Sequence, residues 1–244
     1  MLSHASEAES WEDAPMRVRA ATLAPSRSGE AAVVQAAPRL LVPVAALSLA
    51  AYAALALVIS QPPVQTLDHA TRAWIRLFQH DTLLVAMEAV TALGDHRGLV
   101  PLILLASLVL WRANRPWALA LPVLMAGTGG LQWITKWTAD RPRPDATPWG
   151  FPSGHVLSLV VLLGLMAYLV HRSCDARRPR LLAALVAGSI VIVVAFSRLY
   201  LDKHWLSDLV GGLTIGTAYS LLAIWLVEAV RCRRLAVVRR DTTT

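Results

Sequence analysis

Residues 152–170 read PSGHVLSLVVLLGLMAYLV: a polar turn runs straight into uncharged, mostly apolar sequence. The apolar part is too long for a strand and carries no polar stripe at helical spacing. It therefore reads as a helix that is apolar all round and needs an apolar environment on every side. Similar runs cover 40–60, 98–111, 117–135, 181–196 and 209–227. A helix crossing the hydrocarbon core needs roughly 17–25 residues, and the shorter runs reach that length by borrowing neutral neighbours. Hydrophobic residues make up 56% of the 244-residue chain, and mean hydropathy is +0.51. Six such runs exclude a soluble domain built around a single central helix. The fold class predicted is all-α: a polytopic membrane protein with six transmembrane helices and an active site on its outer face.

The charges sort by side. With the N-terminus inside, the inner segments are 1–39, 112–116, 171–180 and the chain after Ala229, and they hold 15 of the 23 Lys and Arg residues. The outer segments hold the other 8 together with 8 acidic residues. This is the positive-inside asymmetry. The net charge of +7 is thus a topology signal, and no nucleic-acid partner is expected. The predicted location is the cell (inner) membrane, with both termini cytoplasmic and the active site on the periplasmic or outer side. Arg172, Arg177, Arg178 and Arg180 place the 171–180 linker against anionic headgroups. Cys174 and Cys232 fall on the reducing side, so no disulfide is expected. Two distant cysteines do not make a metal site.

Three segments follow. Residues 1–37, rich in Ser, Ala, Glu, Arg and Pro without a sustained period, read as a disordered cytoplasmic tail. Residues 38–230 form the membrane domain, its first span serving as an uncleaved anchor, and 231–244 form a basic cytoplasmic tail. Beyond Pro62-Pro63, Leu67, Ala70, Thr71, Trp74, Ile75 and Phe78 recur at helical spacing, with Asp68, Arg72, Arg76 and Gln79 on other faces. The segment is an amphipathic helix lying on the outer leaflet or packed on the spans. Residues 83–93 are apolar but too short to cross. Asp95 and His96 in the following turn read as turn residues rather than site residues. Gly127, Gly129, Gly130, Gly211, Gly212 and Gly216 lie inside spans, where small residues let helices approach. Trp117, Trp133, Trp137, Trp149 and Trp205 fall near span ends, as aromatic-belt anchors do, and the last two also border polar clusters.

Those polar clusters carry the chemistry. Lys136 and Arg143, then Ser153, Gly154 and His155, then Arg198, His204 and Asp208 all sit at the outer ends of spans. Three cations can surround phosphoryl oxygens, and the planar fork of Arg donates two bonds at once. Pro152-Ser153-Gly154-His155 opens a helix whose free N–H groups and dipole favour an anion, although Pro and Ser are equally common in a plain helix cap. His204 and Asp208 are four apart and share a helix face. Asp208 can accept one imidazole proton and leave the other nitrogen as a nucleophile, unless the two are simply a structural pair. His155, on another segment, is suited to proton transfer.

Taken together these residues resemble the signature of the type 2 phosphatidic acid phosphatase (lipid phosphate phosphatase) superfamily. That signature is a Lys, six residues, then Arg-Pro (Lys136, Arg143-Pro144); Pro-Ser-Gly-His (152–155); and Ser-Arg, five residues, His, three residues, Asp (Ser197-Arg198, His204, Asp208). The resemblance covers roughly residues 40–230 and includes the family's usual six-span form. It implies that His204 becomes phosphorylated, that Asp208 orients it, and that His155 protonates the leaving group. It also implies that Lys136, Arg143, Ser153, Gly154 and Arg198 bind the phosphoryl group without a metal or other cofactor. Arg141 and Lys203, at variable motif positions, are expected as electrostatic helpers. The substrate implied is a membrane lipid phosphate: undecaprenyl diphosphate first, then phosphatidic acid, phosphatidylglycerol phosphate or a lipid A phosphate. Transfer to an acceptor lipid is the alternative reaction. Vanadium haloperoxidases share the anion-binding arrangement, but their usual larger soluble form does not suit a six-span chain.

Overall fold

The structure, a computed structural model, describes residues 27–241, with side chains over 40–232. Eight α-helices follow in order: α1 (Arg27–Val58), α2 (Pro62–Arg76), α3 (Asp81–Thr91), α4 (His96–Ala113), α5 (Arg115–Ala139), α6 (Gly154–Ser173), α7 (Arg177–Tyr200) and α8 (Leu206–Asp241). A single 3-10 turn, Ala92–Gly94, links α3 to α4, and the described residues contain no strand. Six helices have the length and apolarity to cross a bilayer: the 40–58 part of α1, then α4, α5, α6, α7, and α8 as far as Cys232. They coincide with the six predicted runs. Most of the expected N-terminal tail, residues 1–26, lies outside the described residues. The tail boundary does need one correction, since α1 begins at Arg27 and residues 27–37 continue it as helix. At the other end α8 continues through most of the expected basic tail to Asp241.

Local chemistry sets the breaks. Pro62 and Pro63 occupy the first helical positions of α2, where a missing N–H costs nothing. The Asp95 carboxylate accepts the His96 N–H at 2.6 Å and caps α4. Asp140 takes a left-handed conformation (φ 38°) and stops α5.

The bundle is built around α6, 56% of whose span is buried, against 6% for the spans of α1 and α4. Helix α8 packs on α6 and α1, α7 packs on α6, and α4 packs on α5. The outer helices present Leu47 and Leu57, Leu104 and Leu108, Leu185 and Ile192 to the surroundings. Such a surface suits lipid and would be costly in water. The contact between α6 and α8 is close because Gly212 and Gly216 face α6. A Cβ on Gly212 would lie 2.7 Å from the Ser153 carbonyl oxygen. Gly127 likewise fits under Tyr219, but Gly129 and Gly130 meet nothing within 4 Å and take no part in helix packing. The belt reading of the tryptophans also needs correction. Trp133 and Trp137 are exposed and stacked, whereas Trp117 is fully buried and donates to Glu228 at 3.2 Å.

Helix α2 is amphipathic and packs on α7 and α8, one of the two placements expected for it. Leu67, Trp74 and Phe78 are exposed. Its polar side is turned into the protein: Asp68 is buried, and Arg72 and Arg76 both bind the Asp202 carboxylate. Gln79, just beyond it, donates to the Tyr200 carbonyl at 2.8 Å.

Candidate active site

The three polar clusters converge at one end of the bundle. Lys136 stands on the last turn of α5, Arg143 in the loop to α6, and Ser153, Gly154 and His155 at the start of α6. Arg198 ends α7, His204 lies in the short link to α8, and Asp208 is in the first turn of α8. Backbone bonds fasten the segments together. The Ser153 N–H donates to the Asp208 carbonyl at 2.9 Å, Gly150 N–H to the Arg141 carbonyl at 2.7 Å, and Lys203 N–H to the Arg198 carbonyl at 3.0 Å. The Trp205 indole N–H reaches the Pro142 carbonyl at 3.0 Å, and its ring lies under both Arg72 and Arg141. Trp205 is therefore a clamp between the loops rather than a membrane anchor.

His204 is 3% exposed and Asp208 is fully buried. The His204 Nδ1 lies 3.2 Å from Asp208 Oδ2, an oxygen that also accepts the Trp205 N–H at 3.0 Å. This contact makes Nδ1 the protonated nitrogen and leaves the Nε2 lone pair directed away from the carboxylate. Burial pushes the imidazole down to about 4, although Asp208 pulls the other way. At that value the ring is neutral at ordinary pH.

Around it the cations are close enough to sense one another. Arg198 and Arg143 both act on His204, and Lys136 feels Arg143, Arg198 and Asp208. His155 feels Arg198, His204 and Lys136. Lys136 Nζ donates to the Trp149 carbonyl at 3.2 Å, and Arg198 donates to the Thr91 hydroxyl at 3.0 Å. Three buried polar atoms here have no protein partner: Arg143 Nε, Ser153 Oγ and Arg198 Nε. Buried donors left unpaired are rare, and an anion with several oxygens would satisfy all three. Gly154 admits a close neighbour, since a Cβ there would fall 2.2 Å from Gln132 Oε1.

Several neighbours were not read as site residues from the sequence. Thr91 steadies Arg198. Gly94 packs against the His155 ring, where a Cβ would come within 2.9 Å of it. Asp95, in the same turn, is within electrostatic reach of His155, while His96 points outward and is largely exposed. Asp68, a polar residue on one face of amphipathic α2, is buried against Arg141 at 2.7 Å. Arg141, expected as an electrostatic helper, is consequently buried between carboxylates. It bridges Asp68 and Asp208, the latter at 2.9 Å. Lys203, the other expected helper, pairs with Asp145 at 3.0 Å on the exposed rim. The only sequence signal for Asp68 was a lone carboxylate in an amphipathic helix, and its partners lie far along the chain.

The chain is similar to known proteins in both sequence and fold. The profile of the PAP2 superfamily matches residues 117–232, a span that contains every cluster residue from Lys136 to Asp208. Phosphatidylglycerophosphatase B of Bacillus subtilis (strain 168) is 30% identical over 182 residues, covering 71% of this chain and 88% of that protein. Lipid A 1-phosphatase of Porphyromonas gingivalis is 30% identical over 108 residues, covering 43% of this chain and 23% of that protein. In fold, the chain resembles the crystal structure of a transmembrane PAP2-type phosphatidylglycerolphosphate phosphatase from Bacillus subtilis. The TM-score is 0.71 at 24% identity, over 76% of this chain and 96% of that one.

Proposed function

This chain belongs to the PAP2 superfamily and is an integral membrane phosphatase; from that premise we propose that it hydrolyses the phosphate of a membrane lipid through a phosphohistidine on His204. The observation that carries the reading is the trio of unpartnered donors, Arg143 Nε, Ser153 Oγ and Arg198 Nε, gathered around a buried neutral imidazole. His204 Nε2 attacks phosphorus, the P–O bond to the lipid breaks, and His155 gives its proton to the departing oxygen. Water then attacks the phosphohistidine, His155 takes the water's proton, and the P–N bond breaks. Lys136, Arg143, Ser153, Gly154 and Arg198 hold the phosphoryl oxygens. Their positive charge acts most strongly as charge spreads over those oxygens in the transition state. The same cations supply the neutralisation for which other phosphatases use a metal, so chelators should leave turnover intact.

Phosphatidylglycerol phosphate heads the substrate panel, because the Bacillus subtilis relative that aligns with 71% of this chain is a phosphatidylglycerophosphatase. Undecaprenyl diphosphate, phosphatidic acid and lipid A phosphate complete it. The site opens to the outer side, supported by the low positive charge of the segments that carry it. Reporter fusions after Trp149 and after Asp175 should report outside and inside respectively, and the reverse pattern overturns the orientation. The decisive experiment measures phosphate release from the panel by purified protein in detergent, together with trapping of an acid-labile, alkali-stable phosphoenzyme. His204→Ala should lose both while still inserting in membranes. Full turnover in that variant removes His204 as nucleophile.

A further inference from the structure

The family motifs account for His204 and Asp208 but not for what stands behind them. Asp68 of α2 is 2% exposed. It accepts the Ser207 N–H at 2.9 Å, the Ser207 hydroxyl at 2.6 Å and Arg141 at 2.7 Å. Arg141, its side chain 10% exposed, sends one nitrogen to Asp68 and the other to Asp208 Oδ1 at 2.9 Å and Ser207 Oγ at 2.6 Å. The remaining Asp208 oxygen serves His204 and the Trp205 N–H. One continuous buried chain therefore runs from Asp68 through Arg141 and Asp208 to His204. It joins α2, the α5–α6 loop and the start of α8.

We infer that Asp68 and Arg141 are positioning residues for the nucleophile, fixing the Asp208 carboxylate and keeping one net negative charge behind the His204 ring. Two physical arguments support this. The first is geometric. Both oxygens of Asp208 are engaged, so the carboxylate cannot rotate away from Nδ1, and only a planar two-pronged cation can bridge two carboxylates in this way. The second is electrostatic. Arg141 with Asp208 alone would form a neutral pair and cancel the field at the ring. Asp68 adds a second carboxylate, so two negative charges and one positive face the imidazole from behind. When Nε2 bonds to phosphorus, positive charge develops on a ring whose Nδ1–H points at Asp208. A fixed negative charge there stabilises that state more than the starting one. The other charged or titratable groups near His204 are Arg198 from α7, Arg143 from the α5–α6 loop and His155 from α6, together with Arg72 of α2 and Asp202 of the α7–α8 link, which line a small cavity beside it.

The inference rests on the phosphohistidine reading above, and the test separates the two. Asp68→Asn removes the second negative charge while keeping the side chain's size. Its kcat should fall about 10- to 100-fold, the usual cost of losing a group that orients a catalytic one. KM should hold, and the acid limb of the pH profile should move to lower pH, because the protonated ring loses an attractive charge. Arg76→Ala is the control. It removes one of the two arginines that tie α2 to Asp202, at 2.7 Å, and its guanidinium bonds to Asp202 rather than to Asp68, Arg141 or Asp208. That variant should melt earlier yet keep the acid limb in place. Asp68→Asn with wild-type kcat, or with activity lowered equally at every pH, overturns the inference. If Asp68→Asn does not assemble, Arg141→Lys carries the test: its single ammonium cannot bridge both carboxylates, and wild-type kcat in that variant overturns the inference equally. Wild-type protein that releases no phosphate from any lipid phosphate defeats the phosphatase reading instead.

Discussion

Gly212→Ala should injure catalysis far more than one added methyl group suggests. Gly212 lies where α8 crosses the first turn of α6. A Cβ there would stand 2.7 Å from the Ser153 carbonyl oxygen, 3.2 Å from Val156 Cβ and 3.3 Å from the Leu157 nitrogen. The nearest atom belongs to the backbone, so no side chain can swing aside. Ordinary contact begins at 3.4 Å, so α6 must retreat by about 0.7 Å. Overpacking of this kind costs about 1–3 kcal/mol of stability. The same retreat stretches the bond from the Ser153 N–H to the Asp208 carbonyl, now 2.9 Å, and carries Ser153 and His155 away from His204. A misplacement of about 1 Å costs on the order of 100-fold in rate. A shift somewhat smaller than that predicts a kcat loss of roughly 10- to 100-fold, or about 1.4–2.7 kcal/mol in the barrier. Phosphate release and thermal melting of the purified variant in detergent measure both effects. Gly129→Ala and Gly130→Ala, which meet nothing within 4 Å, should behave as wild type. Gly212→Ala with wild-type kcat and melting temperature would refute the idea that the α6–α8 contact sets the site.

Three further outcomes are expected. Because burial holds His204 at about 4, below the ordinary histidine value of about 6.5, the acid limb of kcat/KM should lie well under pH 6.5. A limb at or above that value removes the neutral-imidazole mechanism. The linkage sign follows from the same shift: between about 4 and 6.5 the unfolded chain binds more protons at this position, so stability rises with pH. Melting temperatures across that window should therefore climb, and a fall contradicts the assignment. At the end of the bundle away from the site Glu228 accepts from Trp117 at 3.2 Å, pairs with Arg172 and lies 3.7 Å from Arg231. Glu228→Ala leaves that cationic cluster without its carboxylate, at a cost of about 3 kcal/mol. It should lower the melting temperature while kcat per folded molecule is kept, since the cluster lies at the far end of α8 from the site. An unchanged melting temperature would show that the cluster is not a structural lock.

The legible parts of this protein are those whose physics is local. A span announces itself because every backbone N–H and C=O in lipid must be satisfied within the helix, and this demands one long apolar run. The pairing of His204 with Asp208 was legible from their short spacing, but not as a shared helix face: His204 stands in the link before α8 and meets Asp208 across the start of that helix. The glycines were only half legible. Gly212 and Gly129 look alike in an apolar run, yet one meets the Ser153 carbonyl and the other meets nothing. The same holds for Trp117 and Trp133, one buried on Glu228 and the other exposed.

What the sequence determined by itself was the number of membrane-length helices and the chemical identity of the cations, histidines and carboxylate brought to one end. These follow from hydropathy and residue type, which need no partner to act. Only the tertiary structure decided which carboxylate stands behind which cation. Asp68 reads as one polar residue on an amphipathic helix until α2 folds back over the loops. Arg141 then lies between it and Asp208. A buried charge must find its opposite, and where that opposite lies is fixed by the packing of distant helices rather than by any local pattern in the chain.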